Sequence, residues 1–336
     1  MTIRQAFAAQ GRACAALGSP FMGRLMPLVG DRLTADSAVG DRILGWTGDP
    51  SPAADNAPLR LAGALHALKI EGRALQDVYP PADVDDDTLW NAVVNVMSEH
   101  AAQILQWLDQ PPQTNEVRRA AAILPALAEV AAREPGTPIG LLELGASGGL
   151  NLRADHFRLI TPNGALGDAA SDMVLHPDWT GPEPPAALPR IVSRKGVDLN
   201  PLDPADPEDQ LRLRAYLWPD QPERLALTDA AIRIAGKVPV SLMRGDAAAW
   251  IETELAPPVP DHLPVVLHTV AWQYFPETVR ARIETALRQA PGPVYRFGME
   301  ADGQKPGAGM VLTRYPDGVS WPLGRVDFHG RWVRYL

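Results

Sequence analysis

Short apolar runs that alternate with helical stretches constrain the fold of this chain more than any other feature of its sequence. The first run, Ile139–Leu144, lies between Pro138 and Gly145 and has the length and composition of a buried parallel strand. Four similar runs follow at residues 190–199, 238–244, 263–270 and 294–299, and helical stretches lie between them at 207–216, 223–235, 247–255 and 276–290. This alternation predicts an α/β fold with a doubly wound, mostly parallel sheet.

The part of the chain before residue 138 has a different pattern. Apolar residues recur at helical spacing over residues 57–72 and 88–108, and a further helix is predicted over 114–133. No strand-like run interrupts these helices. We therefore predict a helical N-terminal domain over residues 1–135, placed on the substrate side of the molecule.

The remaining residues, 136–336, are predicted to form the sheet domain. Near its end, three runs look like strands joined by tight turns, at residues 309–315, 319–321 and 326–335. With Pro316-Asp317-Gly318 as a turn signal, they predict an antiparallel hairpin at the sheet edge. The segment 155–189 is long and rich in turn residues, and it does not fit the alternation. Such segments are often lids or binding loops, so we predict a lid-like insertion, the alternative being a solvent-side excursion without a role.

Composition limits the class of partner. The chain has 336 residues and a formal net charge of −9, which argues against a nucleic-acid partner, because such partners demand a basic face. A single cysteine and seven scattered histidines without metal-ligand spacing predict no disulfide and no metal site. No signal peptide or membrane-spanning run is evident, so we expect a cytoplasmic protein with no membrane partner. The sequence leaves the oligomeric state open.

The glycine-rich turn Glu143–Gly149 follows the first predicted strand. Its small residues allow a ligand to approach the backbone closely, and the helix start expected after it would offer free N–H groups. A phosphate-binding lysine is missing, which argues against a P-loop. The Gly-x-Gly-x-x-Gly fingerprint of dinucleotide binding is also matched poorly, because Ser147 and Leu150 stand at its second and third glycine positions.

The charge of Glu143 suggests which cofactor this turn binds. A carboxylate two residues before Gly145 would repel a diphosphate but would suit the ammonium and sulfonium groups of S-adenosylmethionine. The alternative is a structural tight turn with a capping acid. The candidate cofactor-binding residues of this turn are Glu143, Gly145, Ala146, Ser147 and Gly149.

Two further acids follow predicted strands. Asp198, with its neighbour Leu199, lies where an acid can accept hydrogen bonds from ribose hydroxyls, or it is simply a turn acid. Asp246, with Gly245, could bind the adenine amino group or cap the helix over 247–255. We predict that all four residues contribute to cofactor binding.

The fourth predicted strand ends in a cluster of ring side chains. Ligands of open α/β sheets bind beyond the carboxyl ends of strands, so His268, Trp272 and Tyr274 are candidates for substrate contact or proton transfer. His268 is also a candidate cofactor contact. The alternative is a buried core histidine packed between two aromatic side chains.

Taken in order, these motifs resemble those of class I S-adenosylmethionine-dependent methyltransferases over about residues 138–336. That resemblance implies a Rossmann-like sheet of seven strands. A closer resemblance, to a bacterial family of unknown function numbered 2332, covers nearly the whole chain. It rests on Leu65–Lys69, Gln113–Val117 with Arg119, Glu143–Leu152 and Val197–Asp203.

The second resemblance draws attention to the polar segment Gln113–Val117, at the start of the helix before the first strand. In a methyltransferase-like fold, a segment at that position can lie beside the methyl donor. Its residues also fit a capped helix start, with Thr114 as the N-cap. The predicted substrate-binding residues are Thr114, Asn115, Arg119, Asn151 and Trp272. The predicted catalytic residues are His268, Glu116 and Tyr274.

These observations predict a methyltransferase that uses S-adenosylmethionine and acts on a small polar molecule. Two alternatives are a nicotinamide-dependent oxidoreductase and a non-catalytic module that binds ligands with the same fold. His66, on an apolar helical face, is expected to be a buried hydrogen-bonded residue and not a catalyst.

Overall fold

The computed structural model describes residues 1–52, 54–256 and 261–336, and the described chain contains both helices and strands. Its α-helices are α1 (Ile3–Ala16), α2 (Pro20–Arg32), α3 (Ala38–Leu44), α4 (Ala57–Ile70), α5 (Asp86–Glu99), α6 (Ala101–Leu108), α7 (Ala120–Arg133), α8 (Pro207–Ala215), α9 (Pro222–Ala235), α10 (Ala247–Leu255) and α11 (Glu277–Arg288). Short 3₁₀ helices lie at Val117–Arg119, Asn151–His156 and Trp272–Tyr274.

The chain divides into two compact units. The first contains Met1–Thr114 together with Pro207–Ala226, and the second contains Asn115–Asp206 with Leu227–Leu336. The segment Pro207–Ala226, which the sequence pattern placed in the sheet domain, thus belongs with the N-terminal helices. It does so because α8 packs against α4, where the ring of His66 lies 3.1 Å from the carbonyl oxygen of Ala215.

Two predicted helices differ in extent from the observed ones. The helix expected over residues 88–108 is split at His100, whose ψ of 26° departs from helical geometry, into α5 and α6. The helix expected from Thr114 begins only at Ala120, after the 3₁₀ turn that Glu116 caps, so the expectation that Thr114 caps a helix was wrong. Asp85 accepts a hydrogen bond from the N–H of Thr88 and caps α5.

The second unit is built on a large sheet. The strands are β1 (Ile139–Leu144), β2 (Arg158–Thr161), β3 (Gly164–Gly167), β4 (Val174–Leu175), β5 (Asp178–Thr180), β6 (Ile191–Asp198), β7 (Ser241–Arg244), β8 (Leu263–Thr269), β9 (Val294–Glu300), β10 (Ala308–Tyr315), β11 (Val319–Val326) and β12 (Trp332–Tyr335). The large sheet has the order β5-β12-β11-β10-β9-β8-β1-β6-β7, and β3-β2-β4 form a small one.

The prediction of an α/β fold with a mostly parallel central sheet is confirmed. The predicted number of seven strands was wrong, because the described sheet has nine. The strands β7, β6, β1, β8 and β9 are parallel, whereas β9 to β12 form an antiparallel meander and β5 adds a parallel edge strand beside β12. The three strand-like runs predicted near the end of the chain correspond to β10, β11 and β12, and β5 is the edge strand that was not predicted.

The five central parallel strands have the spatial order 3-2-1-4-5 when counted along the chain. Successive connections therefore change direction at β1, which lies between β6 and β8 and has six buried residues. In open α/β sheets, ligands bind at such a switch point, in the crevice at the carboxyl ends of the strands. In this sheet the switch point lies at the carboxyl end of β1, next to Gly145.

The segment 155–189 is folded and is not the irregular excursion that its composition suggested. It forms the small sheet, which packs on α7, and then β5, which pairs with β12. The rings of Trp179 and Tyr335 lie 5.5 Å apart at this junction. The strands have two to four residues, too few to give a recognisable alternation in the sequence. The lid role of the segment stays a prediction.

Strand register assigns the site residues to two faces of the large sheet. Glu143 is paired with Leu267, so their side chains point to one face and that of His268 points to the other. The face of His268 also carries Leu142 and Leu144, which pack against α10 and α11. Glu143 and His268 therefore lie on opposite faces.

Candidate functional site

The turn after β1 has a strained backbone. Gly145, Ser147 and Gly149 have φ angles of 72°, 51° and 62°. The left-handed region favours glycine, so Ser147 carries strain of roughly 1–3 kcal/mol. The N–H groups of Gly145 and Ala146 both donate to the carbonyl oxygen of Val197, at 2.9 and 3.0 Å, which fixes the turn to β6.

The helix start expected after this turn is not that of an α-helix. Residues Asn151–His156 form a 3₁₀ helix that is interrupted at Arg153, where φ is −108°. The guanidinium of Arg153 is buried and donates to the carbonyl oxygens of Gly149 and Val238. A kinked 3₁₀ segment has little macrodipole, so it offers a ligand little of the positive charge of a helix N-terminus. The N–H groups of Gly145, Ala146 and Ser147 already donate within the protein.

Asp198 connects two turns at the sheet edge. One carboxylate oxygen accepts from the N–H of Ser147 at 2.9 Å, and the other accepts from the N–H of Asn200 at 2.8 Å. The carboxylate thereby stabilises the left-handed conformation of Ser147, which agrees with the alternative that Asp198 is a turn acid. Leu199 is 76% exposed beside it. Ribose binding by these two residues stays a prediction.

The environment of Glu143 differs from the one that the sequence suggested, which was a charged carboxylate beside the ligand. Its side chain is buried, with 2% of the residue exposed, and its Oε2 has no hydrogen-bond partner. Burial, reinforced by the charge of Asp198 and opposed by Arg119 and Arg153, raises the pKa of Glu143 to about 8. The expectation of an ionised carboxylate two residues before Gly145 is therefore wrong for the free protein at neutral pH.

The polar segment before α7 docks onto the residues after the turn. The Oδ1 of Asn115 accepts from the N–H of Leu150 at 2.9 Å, and the Nδ2 of Asn151 donates to the carbonyl oxygen of Glu116 at 3.3 Å. The Oδ1 of Asn151 is buried without a partner. Thr114 is the last residue of the first unit, and its substrate role stays a prediction.

Arg119 connects this segment to two other elements. Its Nη1 donates to the carbonyl oxygen of Thr269 at the end of β8, and its Nε donates to that of Phe328 in the turn between β11 and β12. The guanidinium also lowers the pKa of Glu143, so it lies close to that carboxyl group. No local pattern indicated that Phe328 lies near the site, because 209 residues separate it from Arg119.

His268 lies in a buried cluster on the opposite face. Its Nδ1 is 2.8 Å from Oε1 of Glu300, and its ring stacks on Trp272 with centroids 4.9 Å apart. Burial lowers the pKa of His268, outweighing the hydrogen bond to Glu300, so the ring is neutral at pH 7. Its Nε2 is buried and has no partner. Glu300 was missed from the sequence, although an acid at the end of the predicted strand 294–299 was a recognisable feature.

The structure places the three predicted catalytic side chains in different surroundings. Glu116 is 1% exposed and pairs with Arg118, whereas Tyr274 is 59% exposed. His268 is buried on the face opposite Glu143. Their catalytic roles stay predictions, and no shared proton-transfer group is formed by these three among the described contacts.

Gly245 and Asp246 lie between the end of β7 and the start of α10. The carboxylate of Asp246 accepts from the N–H of Ala249 at 2.9 Å and so caps α10, which is one of its two predicted roles. It also lies 3.3 Å from the guanidinium of Arg282. The N–H of Gly245 donates to the carbonyl oxygen of Asp198. Adenine binding by this pair stays a prediction.

A cavity of about 320 Å³ lies at the other end of the sheet. Its lining includes Glu134, Pro293 and Tyr315, and these residues surround the beginning of β9 and the end of β10. The glycine turn lies at the carboxyl end of β1, so this cavity is separate from the candidate site. Within residues 1–52, 54–256 and 261–336, no group of three or more His, Cys, Asp or Glu side chains could hold a metal ion.

No helix in the described part of the chain is long and apolar enough to span a bilayer. A family model described as "Uncharacterized protein conserved in bacteria (DUF2332)" matches residues 4–335. No curated protein and no solved structure matches the chain.

Proposed function

The chain belongs to the bacterial family DUF2332, and from that premise we propose that its second unit binds S-adenosylmethionine and transfers the methyl group to a small polar molecule. The cofactor would bind beside the turn Glu143–Gly149. The 3-2-1-4-5 order of the parallel strands supports this location, because β1 is the switch point where ligands of such sheets bind.

The observation that carries the proposal is a pair of buried oxygen atoms without donors. Oε2 of Glu143, the first residue of the turn, and Oδ1 of Asn151, two residues after its end, have no hydrogen-bond partner. A buried acceptor without a partner costs about 1–3 kcal/mol. An ammonium group brings three donors, whereas a diphosphate brings only acceptors and negative charge.

The charges beside the turn fit both ends of an amino-acid ligand. The methionine part of S-adenosylmethionine has one ammonium and one carboxylate group. Glu143 offers an acceptor for the ammonium group, and the nearby guanidinium of Arg119 offers positive charge for the carboxylate. This arrangement also argues against the nicotinamide alternative, whose diphosphate would meet the acidic side chain of Asp198 beside the turn.

The raised pKa of Glu143 makes the proposed binding proton-linked. In the free protein, Glu143 holds a proton below about pH 8. An ammonium group beside it favours the ionised form, so the complex releases that proton. Affinity for S-adenosylmethionine should therefore rise with pH and level off above about 8.

Methyl transfer itself asks mainly for in-line positioning and the exclusion of water. Bound S-adenosylmethionine would supply the methyl group to a lone pair of the acceptor, with S-adenosylhomocysteine as the leaving group. Where the acceptor carries a proton, the proposed bases are His268 and Glu116. Both are buried, and Glu116 is paired with Arg118, which favours an acceptor atom that has a lone pair and needs no base.

Titration calorimetry with S-adenosylhomocysteine and S-adenosylmethionine tests the proposal. We expect binding at micromolar ligand and release of close to one proton at pH 7, seen as a buffer-dependent heat that vanishes above pH 9. Glu143→Gln should weaken binding about tenfold or more and abolish proton release, because the uncharged amide loses the ionic attraction. Asp302→Asn, at an exposed carboxylate paired with Arg325, is the control and should bind as the wild type does.

Absence of binding at millimolar ligand, or equal affinities in Glu143→Gln and wild type, would overturn the proposal. Thermal shifts with NAD and NADP separate it from the oxidoreductase alternative, which requires stabilisation by a dinucleotide and none by S-adenosylhomocysteine.

The scattered positions of the predicted catalytic residues favour one second candidate, a non-catalytic module that binds the same ligand. That candidate predicts ligand binding without turnover. Incubation with a bacterial extract and S-adenosylmethionine distinguishes the two, because only an enzyme would produce S-adenosylhomocysteine above the level of a Glu143→Gln control.

A further inference from the structure

Three hydrogen-bond donors converge on one oxygen atom at the end of β9. Oε1 of Glu300 lies 2.8 Å from Nδ1 of His268, and it accepts from the N–H groups of Ala271 at 3.0 Å and Trp272 at 3.1 Å. The carboxyl side chain is 14% exposed, so these contacts are largely shielded from water. All three donors belong to the end of β8 and the turn that follows it.

That turn contains an unusual backbone conformation. Val270 has a φ of 53°, a region that a β-branched residue adopts only under constraint. Its own N–H donates to the carbonyl oxygen of Met299 at 2.8 Å. A left-handed residue followed by a right-handed one, here Ala271, points successive N–H groups at one place and forms an anion-binding nest. Glu300 supplies the anion from within the chain.

The same turn lies beside the glycine-rich turn Glu143–Gly149. A Cβ atom added at Gly145 would lie 2.8 Å from the Cβ of Ala271, so the methyl group of Ala271 occupies the space that a side chain at position 145 would need. The position of Ala271 therefore limits the space beside the first glycine of the turn after β1. Trp272, the next residue, packs against the ring of His268.

We propose that Glu300 is a positioning residue for the ligand site, because its three hydrogen bonds hold the turn 270–272 in a strained conformation that places Ala271 against Gly145. Glu300 also fixes the tautomer of His268, because Nδ1 donates to its carboxylate and Nε2 keeps the lone pair. The inference rests on the proposed function, because it requires that a ligand binds beside the turn Glu143–Gly149.

The test compares Glu300→Ala with Glu300→Gln, Val270→Gly and the double variant Val270→Gly/Glu300→Ala. Glu300→Ala should weaken binding of S-adenosylhomocysteine about tenfold, since the turn relaxes away from Gly145. Glu300→Gln keeps an acceptor oxygen and should recover most of the affinity. The double variant should also recover it, because glycine adopts the required φ without the carboxylate. Asp302→Ala, two residues further along, is the matched control and should leave the affinity unchanged.

Nitrogen NMR of the His268 ring gives a readout that general destabilisation would not move. We expect Nδ1 to carry the proton in the wild type and Glu300→Gln, and Nε2 to carry it in Glu300→Ala. Equal affinities in Glu300→Ala and Asp302→Ala, no recovery in the double variant, or an unchanged tautomer would each overturn the inference. If the wild type binds no S-adenosylhomocysteine, the proposed function fails, and the tautomer still decides the role of Glu300. Should Glu300→Ala fail to fold, the double variant should restore folding, and its failure to do so also overturns the inference.

Discussion

Burial separates two acidic side chains that stand on neighbouring strands and look alike in the sequence. Asp198 is half-buried, and both of its oxygens accept backbone N–H groups, so it acts as an anchor for two turns. Glu143 is fully buried beside it, and one of its oxygens has no partner. A carboxyl group with a pKa near 8 in such a place is typical of functional sites, where proton binding and ligand binding are coupled.

The stability of the protein should depend on the protonation of Glu143. Its folded-state pKa of about 8 lies above the unfolded value of 4.5, so the stabilisation by the protonated form is complete below pH 4.5 and is lost as pH rises through 8. Thermal unfolding between pH 5 and 9 should show the melting temperature of the wild type falling relative to that of Glu143→Gln, which does not ionise. Parallel curves for the two proteins would contradict the assignment.

A control with the opposite sign is available at Asp302. Hydrogen bonding to Arg325 lowers the pKa of Asp302, so its contribution is present above the unfolded value of 3.8 and is lost as pH falls through the lower folded value. The wild type and Asp302→Asn should therefore keep a constant difference between pH 5 and 9.

At the scale of single elements, local patterns predicted the long strands well. The runs at 263–270 and 294–299 correspond to β8 and β9, because several consecutive apolar residues are needed to fill a sheet that is covered on its faces. The run at 190–199 corresponds to β6, although Ser193, Arg194 and Lys195 interrupt its apolar residues. The strands β2 to β5 were missed, since each is held by its pairing partners more than by its own residues. The start of α7 was misplaced because Glu116 first caps a 3₁₀ turn.

The site was predictable only in part, for a similar reason. The glycine turn and Asp198 followed from local sequence, since a tight turn needs small residues and acids favour strand ends. The contact of His268 with Glu300 joins residues 32 positions apart, and the burial of Glu143 depends on what covers its face of the sheet. Neither pairing nor burial is encoded in a window of neighbouring residues.

Close packing of strands makes Gly298 sensitive to substitution. A Cβ atom at this position would lie 2.7 Å from Cε1 of His268, which Trp272 and the hydrogen bond to Glu300 hold in place. Gly298→Ala should therefore reduce the free energy of unfolding by about 1–3 kcal/mol, as overpacked cores do. Denaturant unfolding measures the change, with Gly236→Ala as the control, where the added atom would meet only a carbonyl oxygen at 3.5 Å. Equal stabilities of the two variants would show that the ring of His268 moves aside without cost.

At the scale of the whole molecule, the two units contain buried titratable groups with opposite pH responses. Burial raises the pKa of Glu143 in the second unit, and burial lowers the pKa of His66 in the first unit to about 4. His66 is 3% exposed and, as its apolar helical face predicted, bonds to the backbone at Ala215. Acid should therefore weaken the first unit through His66, and alkali the second through Glu143.

Hydrogen exchange resolved by peptide tests this for the first unit. The unfolded pKa of His66 is 6.5, so its contribution is present above that value and is lost as pH falls through 4. Protection of Ala57–Ile70, corrected for intrinsic exchange, should decrease between pH 7 and 4.5 in the wild type and decrease less in His66→Gln. An equal decrease in both proteins would assign the acid sensitivity to other groups.

The pairing of β5 with β12 has a consequence for how copies of this chain meet one another. Without β5, the backbone N–H and carbonyl groups along one side of Trp332–Tyr335 would be open to strands of other molecules, which is a common route to aggregation. The three residues of β5 instead end the sheet with a short strand, and Asp178 places a charge at that border. A variant without Asp178–Thr180 would expose this side of β12 and should polymerise through that strand.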